Sequence, residues 1–335
     1  MNRRHFLTTA PALAAGVAAP GAFILASHAS QATAATPDTA AIEAALDRFR
    51  ALPGETAFVL DVERPDHHWS SAHRGDEPLF VGSAIKTFIL ARFLHDVEEG
   101  RLSEEDPVAI DDGIRSLSSP VFGNLTGTTQ ARSALEAMIT HSDNTATDVA
   151  TRAVGVDRVR AFVADAGLAS VQLPTSTRYL FSYLGGAPYG NDEGWAGMQR
   201  IERGDLFGTA RSPMNDRETM KGSAADFVGY YKRALDGAFF REPGTLAEFK
   251  RIQAMPGIIT RAVPADTLAW VKGGSIEWEG FNCICLPGQM RRGALRATFC
   301  FTYNWEGPPD GIPAAGAAYL EAVSSALGGV MDAFG

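Results

Sequence analysis

The chain of 335 residues carries a formal net charge of −9, with 45% hydrophobic and 21% charged residues. This composition is that of a globular protein and excludes intrinsic disorder, which requires few apolar residues and high charge. The acidic balance argues against nucleic-acid binding, because such binding needs a basic face. Three cysteines are too few for a disulfide scaffold.

The first 34 residues have the pattern of an export signal. Arg3 and Arg4 precede an apolar stretch from Ala10 to Ala26, and a run of small residues follows it. The paired arginines resemble the twin-arginine type, which exports folded proteins. A membrane anchor is the alternative, but the stretch is short for a span and contains two prolines. We therefore expect cleavage after Ala29 or Ala34, no stable membrane anchor, and a periplasmic or secreted mature protein.

The mature chain opens with elements of a helix and sheet layer. The spacing of apolar residues predicts a helix over Asp38–Arg50, and Thr56–Val62 is typical of a strand. We expect His68–Ala72 to return as the second strand of a hairpin. Ser83–Glu98 predicts a helix whose apolar face is broad enough for burial between layers.

Helices are predicted through the middle of the chain, to about residue 250. Four segments have helical periodicity: Ala131–Thr140, Asn144–Val154, Asp157–Ala166 and Ser223–Leu235. An irregular, glycine-rich stretch over residues 182–216 interrupts them. A loop of that length within a compact domain is usually functional or mobile. Its Trp195 and the tyrosines around it either line a substrate cleft or pack the loop. These tyrosines are Tyr179, Tyr183 and Tyr189.

The C-terminal part again predicts strands. Three segments have strand-like patterns: Thr267–Lys272, Ile276–Cys285 and Ala297–Asn304. Turns are expected at Gly273-Gly274 and at Pro287-Gly288. Ile312–Phe334 predicts a closing helix with a proline in its first turn.

This order of elements predicts an α+β fold. We expect an antiparallel sheet flanked by N- and C-terminal helices, with an all-helical region inserted and the active site between the two parts. A single domain over 37–335 would then have its sheet part at about 37–96 and 250–335. The helical part would cover about 97–249.

Three short motifs have residue types that suit nucleophilic catalysis. The first is Ser83-x-x-Lys86, in which residues three apart lie on one side of a helix. A lysine amine with a lowered pKa can take the proton of a neighbouring hydroxyl. Alone, the pattern is common by chance, and an ordinary solvated helix start is the alternative.

The second motif is Ser142-Asp143-Asn144, which opens a predicted helix and also suits a helix N-cap. In the functional interpretation, Ser142 relays a proton to the leaving group, Asn144 donates to a substrate carbonyl, and Asp143 stabilises the turn.

The third motif is Lys272-Gly273-Gly274-Ser275, between two predicted strands. Its glycines allow a substrate to approach a strand edge closely. Its lysine can hold a carboxylate, and a backbone N–H can complete an oxyanion hole with that of Ser83. A plain turn with a surface lysine is the alternative.

Together and in this order, the three motifs resemble those of the serine β-lactamases and penicillin-binding proteins, and of the class A β-lactamases in particular. The resemblance covers about residues 38–335, with 182–216 as an insertion. It implies the β-lactamase-like fold and a set of site residues: the nucleophile Ser83, the base or relay Lys86, the proton shuttle Ser142, and the substrate contacts Asn144, Lys272, Gly274 and Ser275.

By this resemblance, we expect an exported serine hydrolase that opens a β-lactam ring through an acyl-Ser83 intermediate. No metal and no organic cofactor is expected, and the protein is expected to be a monomer with a small-molecule acyl substrate. The alternatives are an esterase or cell-wall peptidase-like hydrolase with the same motifs, and a penicilloyl-binding protein that acylates without turnover.

Two departures from the family pattern concern the substrate and the water. The family usually has Ser or Thr directly after the third-motif lysine, where this chain has Gly273. Class A enzymes carry a glutamate that activates the hydrolytic water, and its place falls near Thr177, in a stretch without carboxylates. Four acids of the insertion could replace it: Asp192, Glu193, Glu202 and Asp205.

Histidines and cysteines offer weaker signals. Three histidines lie around the predicted hairpin: His67, His68 and His73. Their spacing lacks the matched partners of a zinc site, so no metal is expected there. Cys283 and Cys285 share one strand face. Cys300 either pairs with one of them or all three are buried thiols.

Overall fold

An antiparallel sheet lies at the centre of the fold. The structure is a computed structural model, which describes residues 37–335. The strands of this part, in chain order, are β1 Glu55–Arg64, β2 His67–His73, β3 Leu79–Phe80, β4 Pro107–Ile110, β5 Gly127–Gln130, β6 Lys221–Gly222, β7 Leu268–Val271, β8 Gly274–Trp278, β9 Phe281–Arg292 and β10 Leu295–Glu306. The main sheet has the order β2-β1-β10-β9-β7, and β8 also pairs with β9. The predicted export signal over residues 1–34 lies outside the described residues.

Helices cover both faces of this sheet. They are α1 Ala40–Arg50, α2 Lys86–Glu98, α3 Ala131–Thr140, α4 Asn144–Val154, α5 Val156–Asp165, α6 Thr177–Leu184, α7 Gly194–Glu202, α8 Ala224–Leu235, α9 Pro243–Gln253, α10 Ile259–Ala262 and α11 Ile312–Phe334. A 3₁₀-helix over Gly82–Ile85 leads directly into α2. Nowhere in residues 37–335 is a helix apolar over the length that a bilayer crossing requires.

Two apolar cores form because the sheet buries both of its faces. On one face, Phe49 of α1 packs edge-on against Phe58, Phe301 and Tyr319, which joins β1, β10 and α11. On the other face, α8 packs against the sheet and α2 packs among the helices behind it, where the rings of Phe88 of α2 and Tyr230 of α8 are 4.7 Å apart. The predicted α+β architecture, with terminal helices flanking an antiparallel sheet, is confirmed.

Three predicted features of the C-terminal strands are wrong. There is no turn at Gly273-Gly274, because β7 and β8 pair with β9 in one continuous register and the chain runs straight through these glycines. The predicted strand Ile276–Cys285 is two strands, because Glu279 and Gly280 both adopt positive φ angles and reverse the chain. The predicted turn at Pro287-Gly288 lies inside β9. Pro287 falls between the segments of β9 that pair with β7 and β8, so its missing N–H removes no ladder bond on that side. The chain turns later, at Gly293 with φ +58°.

The stretch over 182–216 is more regular than its sequence indicates. Its first residues end α6, and α7 occupies its middle. The Arg211 guanidinium donates to the carbonyls of Tyr183, Ala187 and Gly186, which ties the end of the stretch to its beginning. The Trp278 indole donates to the Arg211 carbonyl at 3.2 Å and joins the stretch to β8. The sequence did not indicate this order, because its many glycines mask the short apolar face of α7 and because the bonds from Arg211 to backbone carbonyls leave no periodic pattern.

Candidate active site

Ser83 lies in the 3₁₀-helix that precedes α2 and lines a cleft of about 1140 Å³. The 3₁₀-helix packs against the start of β8, and the backbones of these two elements are in close contact. A Cβ atom on Gly274 would lie 2.8 Å from Ser83 N and 1.9 Å from Val81 O, so only glycine fits there. A Cβ atom on Gly82 would likewise lie 2.9 Å from Ser275 N. The backbone amides of Ser83 and Ser275 are therefore neighbours at the edge of the cleft.

Lys86 is completely buried at the first turn of α2. Its ammonium group donates to the Ser142 carbonyl at 2.6 Å and to Asn144 Oδ1 at 2.7 Å, and it lies 3.3 Å from Ser142 Oγ. Burial and the positive charge of Lys272 hold the pKa of Lys86 well below its usual value. A neutral amine at this position can accept a proton.

Lys272 approaches the same hydroxyl from the end of β7. Its Nζ lies 3.0 Å from Ser142 Oγ and donates to the Gly273 carbonyl at 2.5 Å. Burial lowers the pKa of Lys272 to about 7. Ser142 itself has φ +57°, an unusual conformation for a serine, which places its hydroxyl between the two amines. The structure thus brings the lysines of the first and third motifs together at the serine of the second.

Asp143 stabilises the second motif, as its sequence position predicts. Its buried carboxylate accepts from Ala146 N at 2.8 Å, which caps α4, and from Val121 N and Phe122 N at 2.9 Å. Asn144 lines the cleft, and its Nδ2 donates to the Leu117 carbonyl at 2.9 Å. These bonds fix the loop before α4 against the segment over residues 117–122, part of which also lines the cleft.

Thr177, at the expected place of the glutamate, begins α6 and is buried. Its Oγ1 lies 2.7 Å from the Ser116 hydroxyl. Its backbone N–H donates to Asp148 Oδ1 at 2.7 Å, and Arg178 N donates to the other oxygen. Burial raises the pKa of Asp148 to about 6. Sequence reasoning missed Asp148, although its place four residues after Asn144, on the same face of α4, is a signal.

The four acids of the insertion differ in position. Asp192 pairs with Arg178, and Asp205 pairs with Arg200. Glu202 lines the cleft, whereas the other three are absent from its described lining. On α7, Trp195, Gln199 and Glu202 have the i, i+4, i+7 spacing of one helix face, and all three line the cleft. The insertion therefore builds one wall of the cleft. Tyr179 lines a separate cavity, and Tyr183 and Tyr189 contact each other.

The three cysteines are buried and unbonded. Cys285 Sγ and Cys300 Sγ are 3.9 Å apart, and Cys283 Sγ lies 3.0 Å from the Phe80 carbonyl. Near the hairpin, His68 lies 3.1 Å from Asp61. In residues 37–335, no group of three or more His, Cys, Asp and Glu side chains is arranged to hold a metal ion.

Comparisons with known proteins give both a family and a fold. The sequence model of the beta-lactamase enzyme family matches residues 40–243. The structure is similar to a beta-lactamase from Sphaerobacter thermophilus, with 17% identity, a TM-score of 0.68, and coverage of 89% of this chain and 98% of that one. It is also similar to a beta lactamase from Burkholderia vietnamiensis, with 18% identity, a TM-score of 0.66, and coverage of 88% of this chain and 98% of that one. No curated protein matches the sequence.

Proposed function

The chain belongs to the beta-lactamase enzyme family, and from this premise we propose that it cleaves a β-lactam or a related acyl compound through an ester formed with Ser83. The observation that carries the proposal is the arrangement of Lys86, Ser142 and Lys272 in one hydrogen-bonded group at the cleft that Ser83 lines. This group can supply a base and a proton path, and the neighbouring backbone amides of Ser83 and Ser275 can bind the developing negative charge.

The proposed acylation step uses these groups. Lys86 as the free amine takes the proton of the Ser83 hydroxyl while its oxygen attacks the substrate carbonyl. The backbone N–H groups of Ser83 and Ser275 donate to the oxyanion that forms. The proton then passes through the Ser142 hydroxyl to the leaving nitrogen or oxygen. The bond from the carbonyl carbon to that nitrogen or oxygen breaks as the acyl-Ser83 ester forms, which opens the ring of a β-lactam or releases the alcohol or amine of an open-chain substrate.

A second candidate is an esterase or a cell-wall peptidase-like hydrolase, and a specific observation favours it. Gly273 provides no hydroxyl for a substrate carboxylate, and Lys272 donates to Ser142 and to the Gly273 carbonyl instead. A third candidate, a penicilloyl-binding protein without turnover, is favoured by the place of the glutamate, where Thr177 and Ser116 hydrogen-bond each other.

The proposal is tested by covalent labelling. We expect a penicillin or a fluorophosphonate to add one adduct to the wild-type protein, because both react with an activated serine. Ser83→Ala should abolish the adduct and keep the circular dichroism spectrum of the wild type. Ser324→Ala on α11, remote from the cleft, is the matched control and should be labelled normally. An adduct that persists on Ser83→Ala contradicts the assignment.

A further inference from the structure

The cleft wall formed by β8 carries negative charge. Glu277 of β8 and Glu279 in the turn after β8 line the cleft and are exposed, and Glu202 lines the cleft from α7. Among the described lining residues there is neither lysine nor arginine, because Lys86 and Lys272 are buried beneath the surface. A substrate entering this cleft therefore meets carboxylates at its outer end.

An independent feature at the same end is a buried acceptor that has no donor. Asn282 lines the cleft and is only 1% exposed. Its Nδ2 donates to the carbonyls of Gly280 and Gly307 at 3.0 and 3.2 Å, whereas its Oδ1 has no hydrogen-bond partner. Buried polar atoms in folded proteins are almost always paired. This oxygen is therefore an acceptor that an N–H group of a ligand could satisfy.

The sheet register places these acceptors together. Asn282 of β9 lies directly opposite Glu277 of β8, so the two side chains project from the same face of the sheet. Ser275 shares that face, since it is two residues before Glu277. With a rise of about 3.3 Å per residue, Glu277 lies about 10 Å along the strand from Gly274, which contacts the backbone of Ser83.

We propose that the cleft selects acyl substrates that carry a protonated amine within about 10 Å of the scissile carbonyl. Glu277 and Glu279 attract this ammonium group, and Asn282 Oδ1 accepts one of its N–H bonds. The inference rests on the proposed acylation of Ser83 and adds the charge of the substrate. A substrate that places a carboxylate beside Glu277 and Glu279 is repelled, and a neutral substrate gains no binding energy from these carboxylates.

Two penicillins that differ by one amine provide the test. Ampicillin is benzylpenicillin with an α-amino group on its side chain, so the rest of the molecule serves as the internal reference. We expect wild-type protein to be acylated roughly tenfold faster by ampicillin at low salt, as two or three partly exposed ion pairs predict. The rates are followed by intact-mass spectrometry of quenched samples.

Charge-removing variants identify the residues responsible. In Glu277→Gln with Glu279→Gln, the ratio of the two acylation rates should fall to near one. Glu321→Gln on α11 removes an exposed carboxylate away from the cleft and should keep the wild-type ratio. Thermal melting of each variant shows that it is folded.

The outcomes separate the two proposals. Equal rates in the wild-type protein, or a ratio that the double variant leaves unchanged, overturn the inference but keep Ser83 as nucleophile. If neither penicillin acylates Ser83, the proposed use of a β-lactam fails. In that case, the amine preference is decided by the rates at which the protein hydrolyses 4-nitrophenyl phenylglycinate and 4-nitrophenyl phenylacetate. Each rate is corrected for spontaneous hydrolysis of the ester, and equal corrected rates overturn the preference.

Discussion

The Ser142 hydroxyl lies between two buried amines, at 3.3 Å from Lys86 Nζ and 3.0 Å from Lys272 Nζ. Two ammonium ions so close to one another and away from water would repel strongly. Burial lowers the pKa of both lysines, and the charge of Lys272 lowers that of Lys86 further. The consequence is that Lys86 holds a free amine at a pH where an exposed lysine is fully protonated.

The pH profile of acylation should report this coupling. We expect the rate to rise with pH through the pKa of Lys86 and to level off well below pH 10, because the reactive form is the free amine. Lys272→Met removes a positive charge that disfavours protonation of Lys86, so the pKa of Lys86 rises. The rising limb should therefore move to higher pH in this variant, as stopped-flow acylation between pH 5 and 10 would show.

Lys250→Met is the control for this profile, since Lys250 lies over the Trp270 ring, away from Ser142. In this variant, the rising limb of the acylation profile should stay at the pH of the wild type. A Lys272→Met limb that stays in place or moves to lower pH would show that the two lysines are not coupled in this way.

Sequence patterns predicted some site residues and missed others for a physical reason. Ser83, Lys86 and Ser142 stand in short motifs whose chemistry is recognisable before any fold is known. Asp148 and Asn282 are single polar residues within buried elements. The helical spacing of Asp148 from Asn144 is a weak signal, and the sequence neighbours of Asn282 give it none. Their importance comes from what lies opposite them in space, namely the start of α6 and the β8 wall.

The contact between β8 and the 3₁₀-helix distinguishes two adjacent glycines. A Cβ atom on Gly274 would lie 1.9 Å from Val81 O, whereas the nearest atom to a Cβ on Gly273 is 3.8 Å away. Gly274→Ala should push β8 away from Ser83, separate the two oxyanion amides and lower acylation about 10²–10³-fold. It should also cost about 1–3 kcal/mol of unfolding free energy through overpacking.

Gly273→Ala is the matched control, because ordinary van der Waals contact accommodates its methyl group. It should acylate within a few-fold of the wild-type rate, and urea denaturation should give nearly wild-type stability. Similar losses in the two variants would mean that the flexibility of the segment, and not its close approach to Ser83, is what matters.

The start of α6 leads us to expect that release of the acyl group is slow. A water that attacks the ester must lose a proton to a base within about 3 Å, and loss of such a base typically slows a step 10²–10⁴-fold. At the expected place, Thr177 and Ser116 present neutral hydroxyls that bond to each other. We predict a burst of one equivalent followed by slow turnover, with acyl-Ser83 visible by mass spectrometry.

Glu202 is the insertion acid that lines the cleft, so it tests the alternative. If Glu202 were the base, the wild-type protein would turn over rapidly without a detectable adduct, and Glu202→Gln would accumulate one. Asp205→Gln, at an acid already paired with Arg200, serves as the comparison. It should change neither the rate of acylation nor the rate of turnover.

The predicted export signal concerns the part of the chain before the described residues. We expect the mature protein to begin within residues 30–35 and to be recovered from the periplasm or the medium, because small residues there suit a signal peptidase. N-terminal sequencing of exported protein measures the cleavage position. Changing Arg3 and Arg4 to lysine should stop export by the twin-arginine route, and unimpaired export would point to the general secretory route.

Sequence periodicity predicted the helices far better than the C-terminal sheet. The bounds of α3, α4 and α11 match the predicted segments, because each has a strong apolar face and clear ends. The β9 strand was misjudged because Pro287 and Gly288 are turn residues in most contexts. Pro287 is acceptable within the strand because it lies between the segments that pair with β7 and β8. Gly288 is required there because a Cβ atom would lie 2.6 Å from the Trp270 carbonyl oxygen of β7.

The pairing of β1 with β10 joins the beginning and the end of the chain. During synthesis, β1 emerges from the ribosome long before its partner exists, and its edge has backbone groups that no neighbouring strand yet satisfies. The central sheet can therefore close only after translation has delivered the last strand and α11. Chains truncated before Leu295 should expose that edge permanently, and we expect them to aggregate or be degraded and not to persist as inactive but folded protein.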